Sequence, residues 1–422
     1  YERLELETRA LIARDHLLIT EASPCYAEMG GQVGDTAVVE IAGRRIRVED
    51  TQRTASGVIQ HRLAEPLTAA GGSPLRLAVD RDRRARIEAH HSGTHLLHWA
   101  LRGVLGDSVG QKGSYVGPDR LRFDFSHPEA VRKDELAEIG HRVSEKVAAA
   151  DPVIWAERSY DDVRGDRSIL QFFGEKYGAR VRVVDIGGYS RELCGGTHAR
   201  STADIGFFRI ISEGAIAAGV RRIEAVAGPA VIDYVEHERA KQEERHAQLR
   251  KKRADIAALV ELAAASPADA WAAFAKREDQ LDRLEEEVRE WEKARQKSAA
   301  ADLQRQASET AAALLAEHDA HAGSVVAQIP DADGKTLQAI ADAIRAKFDG
   351  PIVLGGASEG RVALLASVPK AKAAALSAGK IISEIAPLVG GRGGGRPDFA
   401  QGGGTLPDKI PDALRRARDL IG

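Results

Sequence analysis

Residues 81–98 read RDRRARIEAHHSGTHLLH, and this stretch divides the chain into two kinds of pattern. Within it Ile87, His91, His95 and His98 recur at steps of three and four, the spacing that stacks side chains on one face of an α-helix. Upstream, residues 10–12, 17–20, 36–41, 58–61 and 75–79 are short apolar runs broken by Gly, Pro and Asp, which predicts a small β-barrel-like subdomain over residues 1–80. Downstream, Leu121, Phe123 and Phe125 alternate with Arg122 and Asp124 as one face of a strand does. Residues 132–150 return to a helical period, and residues 181–186, 207–212 and 223–226 read as further strands. Residues 81–232 are therefore expected to form one mixed α+β domain.

From residue 233 the composition turns to Ala, Glu, Lys, Arg and Gln with almost no Gly, as in long exposed helices. Ser266-Pro267 supplies an N-cap and a first-turn proline, so a second helix is expected to begin there. It carries Phe274, Leu281, Leu284, Val288 and Trp291 near coiled-coil core positions, which predicts an antiparallel helical coiled-coil stalk over residues 233–315. Two ordinary surface helices packed on a domain are the alternative. In residues 316–422, strand patterns at 324–329, 352–355 and 362–367 alternate with helical ones at 334–348, 370–388 and 408–420. A compact α/β C-terminal domain follows, and the whole is expected to be α+β.

Charge excludes one class of partner. The 422 residues hold 60 Lys and Arg against 63 Asp and Glu, a formal net charge of −3, so nucleic acid cannot be held by bulk charge and needs a local patch. Arg81, Arg83, Arg84 and Arg86 form one such patch; Arg392 and Arg396, set among glycines that let backbone amides approach phosphate, form another. A solvated helix face and a flexible loop are their plain readings. The two cysteines, Cys25 and Cys194, make no disulfide framework, which points to a reducing cytoplasm. No apolar run reaches the length needed to span a bilayer, and no membrane attachment is expected. The chain opens at Tyr1 in strand-like sequence, YERLELETRALIARDHLLITEASPCY, and is expected to be a piece of a longer protein.

Two spacings point to metal. His91 and His95 stand four apart, as do Cys194 and His198 in CGGTH. On a helix the first pair shares a face, and one ion can bridge both imidazoles. Given the histidine content, a chance pair at this spacing is expected about 0.4 times per chain, so it is weak evidence alone. A Cys and His at the same spacing is expected by chance only about 0.06 times, which makes the second pair the stronger signal. Gly195-Gly196 lets the backbone fold so that thiolate and imidazole face one point. Spacing alone leaves open a buried Cys with three satisfied histidines.

HHSGTHLL (residues 90–97), QKGS (111–114) leading into LRFDFSH (121–127), and CGGTH (194–198) together resemble the editing domain of alanyl-tRNA synthetases and of their free-standing AlaX relatives. The likeness continues in YAEMGGQVGD (26–35), SEG (212–214) and GVRRIEAV (219–226). The glycine-rich GGRGGGRPDFAQGGG (390–404) is similar to that family's C-terminal globular domain, which is related to the accessory domain of DHH phosphoesterases, although no DHH sequence occurs here. Two positions depart from the family pattern: Cys25 stands where an aromatic residue is common, and Met29 where a small residue usually precedes Gly-Gly-Gln.

The resemblance implies an ATP-independent hydrolase for Ser-tRNA(Ala) and Gly-tRNA(Ala), with the aminoacylation domain absent from these residues. It implies Zn2+ on His91, His95, Cys194 and His198, with Thr94 and Gln111 as polar groups beside the ester. Gly30, Gly31, Gln32 and Arg222 would bind substrate. Arg392 and Arg396 would contact tRNA(Ala), and the C-terminal domain would also form a homodimer; the location would be cytoplasmic. Two alternatives stand beside this: a non-catalytic tRNA-binding and dimerisation scaffold with structural zinc, and a free-standing AlaX-type trans-editing protein. The editing module of threonyl-tRNA synthetases shares both spaced pairs, but lacks the Gly-Gly-Gln subdomain and the glycine-rich C-terminal domain.

Overall fold

A computed structural model describes residues 3–171, 178–262, 265–317 and 323–422, so the first two residues of the opening strand-like run lie outside it. The chain divides into two compact units, Tyr1–Glu285 and Glu286–Gly422.

The first unit opens with a closed six-stranded barrel. Its strands are β1 (Glu5–Arg14), β2 (Leu17–Thr20), β3 (Ala37–Ile41), β4 (Arg44–Arg53), β5 (Ile59–Leu63) and β6 (Pro74–Val79), in the order β1-β2-β5-β4-β3-β6. Closure leaves no open edge. Leu18, Val39, Ile46, Val48 and Leu77 fill the interior. Strand β4 had no place in the sequence reading because Ile46 and Val48 are its only apolar side chains; a bulge after Val48 then turns the polar Thr51 inward. Thr51 donates to the carbonyl of Asp35, which is how a buried hydroxyl there is tolerated.

Helix α1 (Arg81–Leu105) follows, capped by Asp80, whose carboxylate accepts from the Arg83 amide. Residues 89–98 are buried on every side, so this is a central rather than an amphipathic helix. Around it lie β7 (Gln111–Val116), β8 (Leu121–Ser126), α2 (Lys133–Ala148), β9 (Val153–Ser159), α3 (Tyr160–Val163), β10 (Arg180–Ile186), β11 (Ser190–Leu193), β12 (Phe208–Ala217) and β13 (Val220–Ala227). They form a four-stranded sheet, β12-β13-β8-β7, and a three-stranded sheet, β11-β10-β9. Leu96, Leu97, Phe123, Phe125, Phe208 and Ile223 join helix and sheet in one core. His90 shows the plain fate of a core histidine: Nδ1 pairs with the Gly117 carbonyl at 2.7 Å, and Nε2 accepts from the Ala227 amide at 3.0 Å.

The arginines of the basic run 81–86 are engaged largely in contacts within the protein. Arg84 is buried and forks onto the carboxylate of Asp35, also buried. Arg83 donates to the Gly34 carbonyl, Arg86 pairs with Asp233, and Arg81 lies 3.6 Å from Glu5. This run fastens helix α1 to its neighbours.

The helical region also differs from expectation. Between helices α4 (Ala230–Lys252) and α5 (Pro267–Glu317), residues 253–262 run non-helically. Tyr234 meets Trp271 and Phe274, Gln242 donates to Glu278, and Arg245 reaches Glu278, Asp282 and Glu285. The partner's number rises with the residue's own, so the early part of α5 runs parallel to α4, not antiparallel. The Ser266 cap is as expected, with the Asp269 amide donating to its hydroxyl.

In the second unit β14 (Val325–Ile329), α6 (Gly334–Arg345), β15 (Ile352–Ser358), β16 (Arg361–Ser367), α7 (Ala378–Ile385), β17 (Arg392–Gly395), β18 (Phe399–Gly404) and α8 (Ile410–Ile421) build a sheet of order β14-β15-β16-β18-β17. Only β14 and β15 pair in parallel. Val353, Leu364, Ile382 and Leu414 form the core with α7 and α8; Leu337, Ile340, Ile352 and Leu354 form another with α6. The glycine-rich segment is the β17–β18 hairpin rather than a loop. A Cβ on Gly393 would stand 2.4 Å from Ile382 Cγ2, and one on Gly402 2.8 Å from the same atom, so these glycines admit helix α7 onto the sheet. Arg392 and Arg396 are exposed on this hairpin, Arg396 beside Asp398 at 3.2 Å.

Candidate metal centre

Helix α1 puts His91 and His95 one turn apart, with their rings parallel within 4° and centroids 5.3 Å apart. Just past β11, the turn of residues 194–198 brings up Cys194 and His198. The ligand-type atoms of the four residues all lie within 4.8 Å of one another. Cys194 Sγ is 3.2 Å from His91 Nε2 and 3.3 Å from His198 Nε2.

A glycine makes this convergence fit. A Cβ on Gly196 would stand 2.0 Å from His91 Cε1 and 2.7 Å from Gln32 Oε1, so only a bare backbone passes there. Gly195 is less constrained, its added Cβ meeting only Met29 Cε at 3.2 Å.

Each imidazole is turned by a bond at its far nitrogen. His91 Nδ1 donates to Gln32 Oε1 at 2.7 Å, and His95 Nδ1 to Glu192 Oε2 at 2.6 Å. His198 Nδ1 pairs with Ser92 Oγ at 3.3 Å. All three Nε2 atoms are thereby aimed inward, the arrangement by which outer groups fix tautomer and direction in metal sites. Glu192 is buried and also accepts from His98 Nδ1 at 2.9 Å.

The electrostatics favour a ligand set. Burial by itself would raise the Cys194 thiol, but the imidazoles of His91 and His198 hold it well below its ordinary value, as the thiolate a metal needs. Burial, reinforced by His91, depresses His198 to about 3, so it stays neutral. His95 differs: burial opposes its charge, yet the charges of Glu192 and Cys194 raise it to about 10, so it holds a proton that an incoming metal ion must displace. Buried His95 Nε2 has no hydrogen-bond partner among the described residues, a cost that a metal bond would remove. One sulfur and three imidazole nitrogens in a buried cluster fit a tetrahedral ion.

Beside the cluster is a cavity of about 280 Å³. Gly30, Thr94, Gln111, Ser114 and Phe123 line it with His91, His95 and Cys194. Thr94 donates its hydroxyl to the His90 carbonyl at 2.8 Å, and Gln111 Nε2 donates to Ser114 Oγ at 3.1 Å. Gly31 packs where a Cβ would meet the Ser114 carbonyl oxygen at 2.5 Å, at a φ of +86°. Gln32 is buried, and its amide clamps the CGGTH turn: Nε2 donates to Thr197 Oγ1 and Oε1 accepts from the Thr197 amide, each at 2.9 Å. Arg222 is engaged by Asp124 through two bonds of 2.7 and 2.9 Å and does not line this cavity. Sequence reasoning missed Glu192 and Ser92. The only signal for Glu192 was an acidic residue two positions before the cysteine.

The model of the threonyl and alanyl tRNA synthetase second additional domain matches residues 181–224, and that of the DHHA1 domain residues 321–422. The alanine–tRNA ligase of Methylacidiphilum infernorum is 41% identical over 426 aligned residues, covering 100% of this chain and 46% of the relative. That of Stenotrophomonas maltophilia is 42% identical over 402, covering 94% and 43%. The chain spans about half the length of the curated relatives it matches. Among solved structures, the C-Ala domain of Aquifex aeolicus alanyl-tRNA synthetase matches at 26% identity and a TM-score of 0.22, covering 22% of this chain and 86% of its own.

Proposed function

The chain is homologous along its length to the C-terminal part of alanyl-tRNA synthetases, and from that premise we propose that it hydrolyses wrongly charged Ser-tRNA(Ala) and Gly-tRNA(Ala) without ATP. The supporting observation is the cavity itself, floored by His91, His95 and Cys194 and walled by Thr94 and Gln111. The need is physical: a synthetic pocket sized for alanine gains only about 1–3 kcal/mol against amino acids one small group away, so a second site must supply the rest.

Hydrolysis adds water across the ester: the water oxygen joins the carbonyl carbon, the bond to the ribose oxygen breaks, and that oxygen takes a proton. The ester is already activated, so no energy source is required. Zn2+, held by His91, His95, Cys194 and His198, would supply Lewis acidity and an anchor for a polar atom of the substrate. Gln111 carries an amide, which is no base, and its role is to hold water or the ester oxygen in line. The Thr94 hydroxyl donates to the His90 carbonyl and keeps its lone pairs, so it accepts a bond from the substrate. Gly30 and Gly31 present backbone to the substrate. Gln32 acts on it through His91 and Thr197, and Arg222 through Asp124 and strand β8. Residues 1–232 carry the reaction, residues 233–315 the connecting helices, and residues 316–422 bind tRNA(Ala) and form a homodimer, with Arg392 and Arg396 as contacts. The setting is the cytoplasm; among the described residues no helix is long and apolar enough to cross a membrane.

The test is a deacylation time course without ATP on Ser-, Gly- and Ala-tRNA(Ala), for the chain and for its Cys194→Ala variant. The reading requires loss of the Ser and Gly esters, retention of the Ala ester, and little hydrolysis by the variant. Equal rates on all three esters, or a fully active variant, would refute it.

A further inference from the structure

A second opening reaches the His/Cys cluster: a groove of about 1160 Å³ lined in part by His198, Thr197 and Gly195. Its walls carry Arg3, Arg53, Arg180, Arg182 and Arg200 around Trp155. Arg3, Arg53 and Arg200 are exposed and form none of the side-chain hydrogen bonds or ion pairs found among the described residues. Arg180 is paired with Glu157 at 2.7 Å, and Arg182 is tied to the Cys194 carbonyl at 3.1 Å. The Arg200 guanidinium lies 4.4 Å and that of Arg182 5.3 Å from the Trp155 ring centroid. The remaining acid, Glu88, is raised to about 7, mainly by burial, and lies 3.8 Å from the Arg84 guanidinium, so at neutral pH it is only about half ionised and is offset from within the protein. Met29 and Gly195 border both this groove and the cavity, so the two openings meet at the Met29 side chain.

Exposed cations along a trough, with one aromatic–guanidinium platform, match the chemistry that holds single-stranded nucleic acid: phosphates on the arginines, a base stacked on indole or guanidinium. A duplex has no free base to stack, and an acidic peptide would make no use of Trp155. We propose that this groove binds the unpaired 3′ strand of the RNA that carries the ester, with Trp155 and Arg200 as the stacking platform and Arg3 and Arg53 as phosphate contacts. The strand's end then passes Met29 into the cavity. The inference rests on the editing reading for the identity of the strand, but RNA binding is measurable without any ester.

Fluorescence anisotropy with a labelled 12-nucleotide single-stranded RNA ending in CCA, bearing no amino acid, tests it on the full chain. Trp155→Ala is expected to weaken binding about 5- to 160-fold, the range that stacking of one base spans, and Trp155→Phe to restore most of it. Arg3→Gln with Arg53→Gln should lower the salt dependence of log K by about 0.7 per side chain, as for single strands. Metal content equal to that of the parent chain verifies folding, and the exposed Arg53 variant serves if Trp155→Ala fails that criterion. Unchanged affinity and salt slope in the variants, or displacement of the RNA by polyglutamate or blunt duplex RNA at equal charge, would overturn the proposal. Weakened RNA binding in these variants, of a parent chain that binds the RNA but hydrolyses no ester, would uphold the groove and refute only the editing reading.

Discussion

Gly196→Ala is the sharpest perturbation the candidate metal centre offers. The added methyl would sit 2.0 Å from His91 Cε1, 2.4 Å from His91 Nδ1 and 2.7 Å from Gln32 Oε1. An ordinary carbon contact needs about 3.4 Å or more, so the His91 ring or the 194–198 turn must yield by more than about 1 Å. Metal–ligand distances tolerate only about 0.2 Å, so the shift cannot be absorbed with His91 still bound in place. Withdrawal of one outer-shell partner typically lowers metal affinity about 10- to 100-fold, and here both the ligand and its partner Gln32 are pushed. Zinc affinity is therefore expected to fall at least about 100-fold, as read by competition with a chromogenic chelator. Gly195→Ala is the internal control. Its methyl meets only the end of the flexible Met29 side chain, at 3.2 Å, and should change affinity by less than about 3-fold. If both variants bound zinc like the parent, the claim that Gly196 is required by close approach to His91 would be wrong.

Glu192→Gln keeps the shape but removes the charge that orients His95 and His98; zinc affinity should drop about 10- to 100-fold, and an unchanged chelator titration would refute the orienting role. Arg84→Met leaves Asp35 buried without its partner and should cost about 3–5 kcal/mol in urea unfolding, much of it recovered by adding Asp35→Leu; equal stability of the two variants would contradict this. Burial lowers His90 to about 4 in the folded chain, against about 6.5 when unfolded, so below pH 6.5 the unfolded state binds the extra proton. This group's contribution is full above pH 6.5 and is lost as pH falls toward 4, by roughly 3 kcal/mol in all, and His90→Gln should remove that part of the slope. Parallel pH profiles for the parent and this variant would show that His90 does not titrate as described.

The central helix was legible because its histidines and apolar residues keep one period over 81–98, and Asp80 caps it as an acidic N-cap should. The His/Cys cluster was legible because both pairs are local in sequence, and only their meeting needed the fold. Two readings failed for identifiable reasons. Residues 253–262 are rich in Ala and Leu and read as helix, yet they run back non-helically. Their backbone finds partners in His246, which pairs with the Ala257 carbonyl, and in Gln280, which bonds the Ala258 carbonyl and the Val260 amide. Tertiary bonding there overrode propensity, and the return placed α5 parallel to α4. The glycines of 390–404 were read for their reach to phosphate, whereas Ile382 against Gly393 and Gly402 shows that they answer to the packing of helix α7. Glu192 escaped notice because its partners are about a hundred residues away, at His95 and His98.

The claim that the His/Cys centre performs the chemistry is tested most directly by titrating zinc into metal-stripped chain while following hydrolysis of Ser-tRNA(Ala) without ATP. The account predicts that the rate rises with added zinc to a plateau at about one equivalent per chain, given the single ligand set among the described residues. Hydrolysis at full rate without zinc, or none with the site filled, would contradict it.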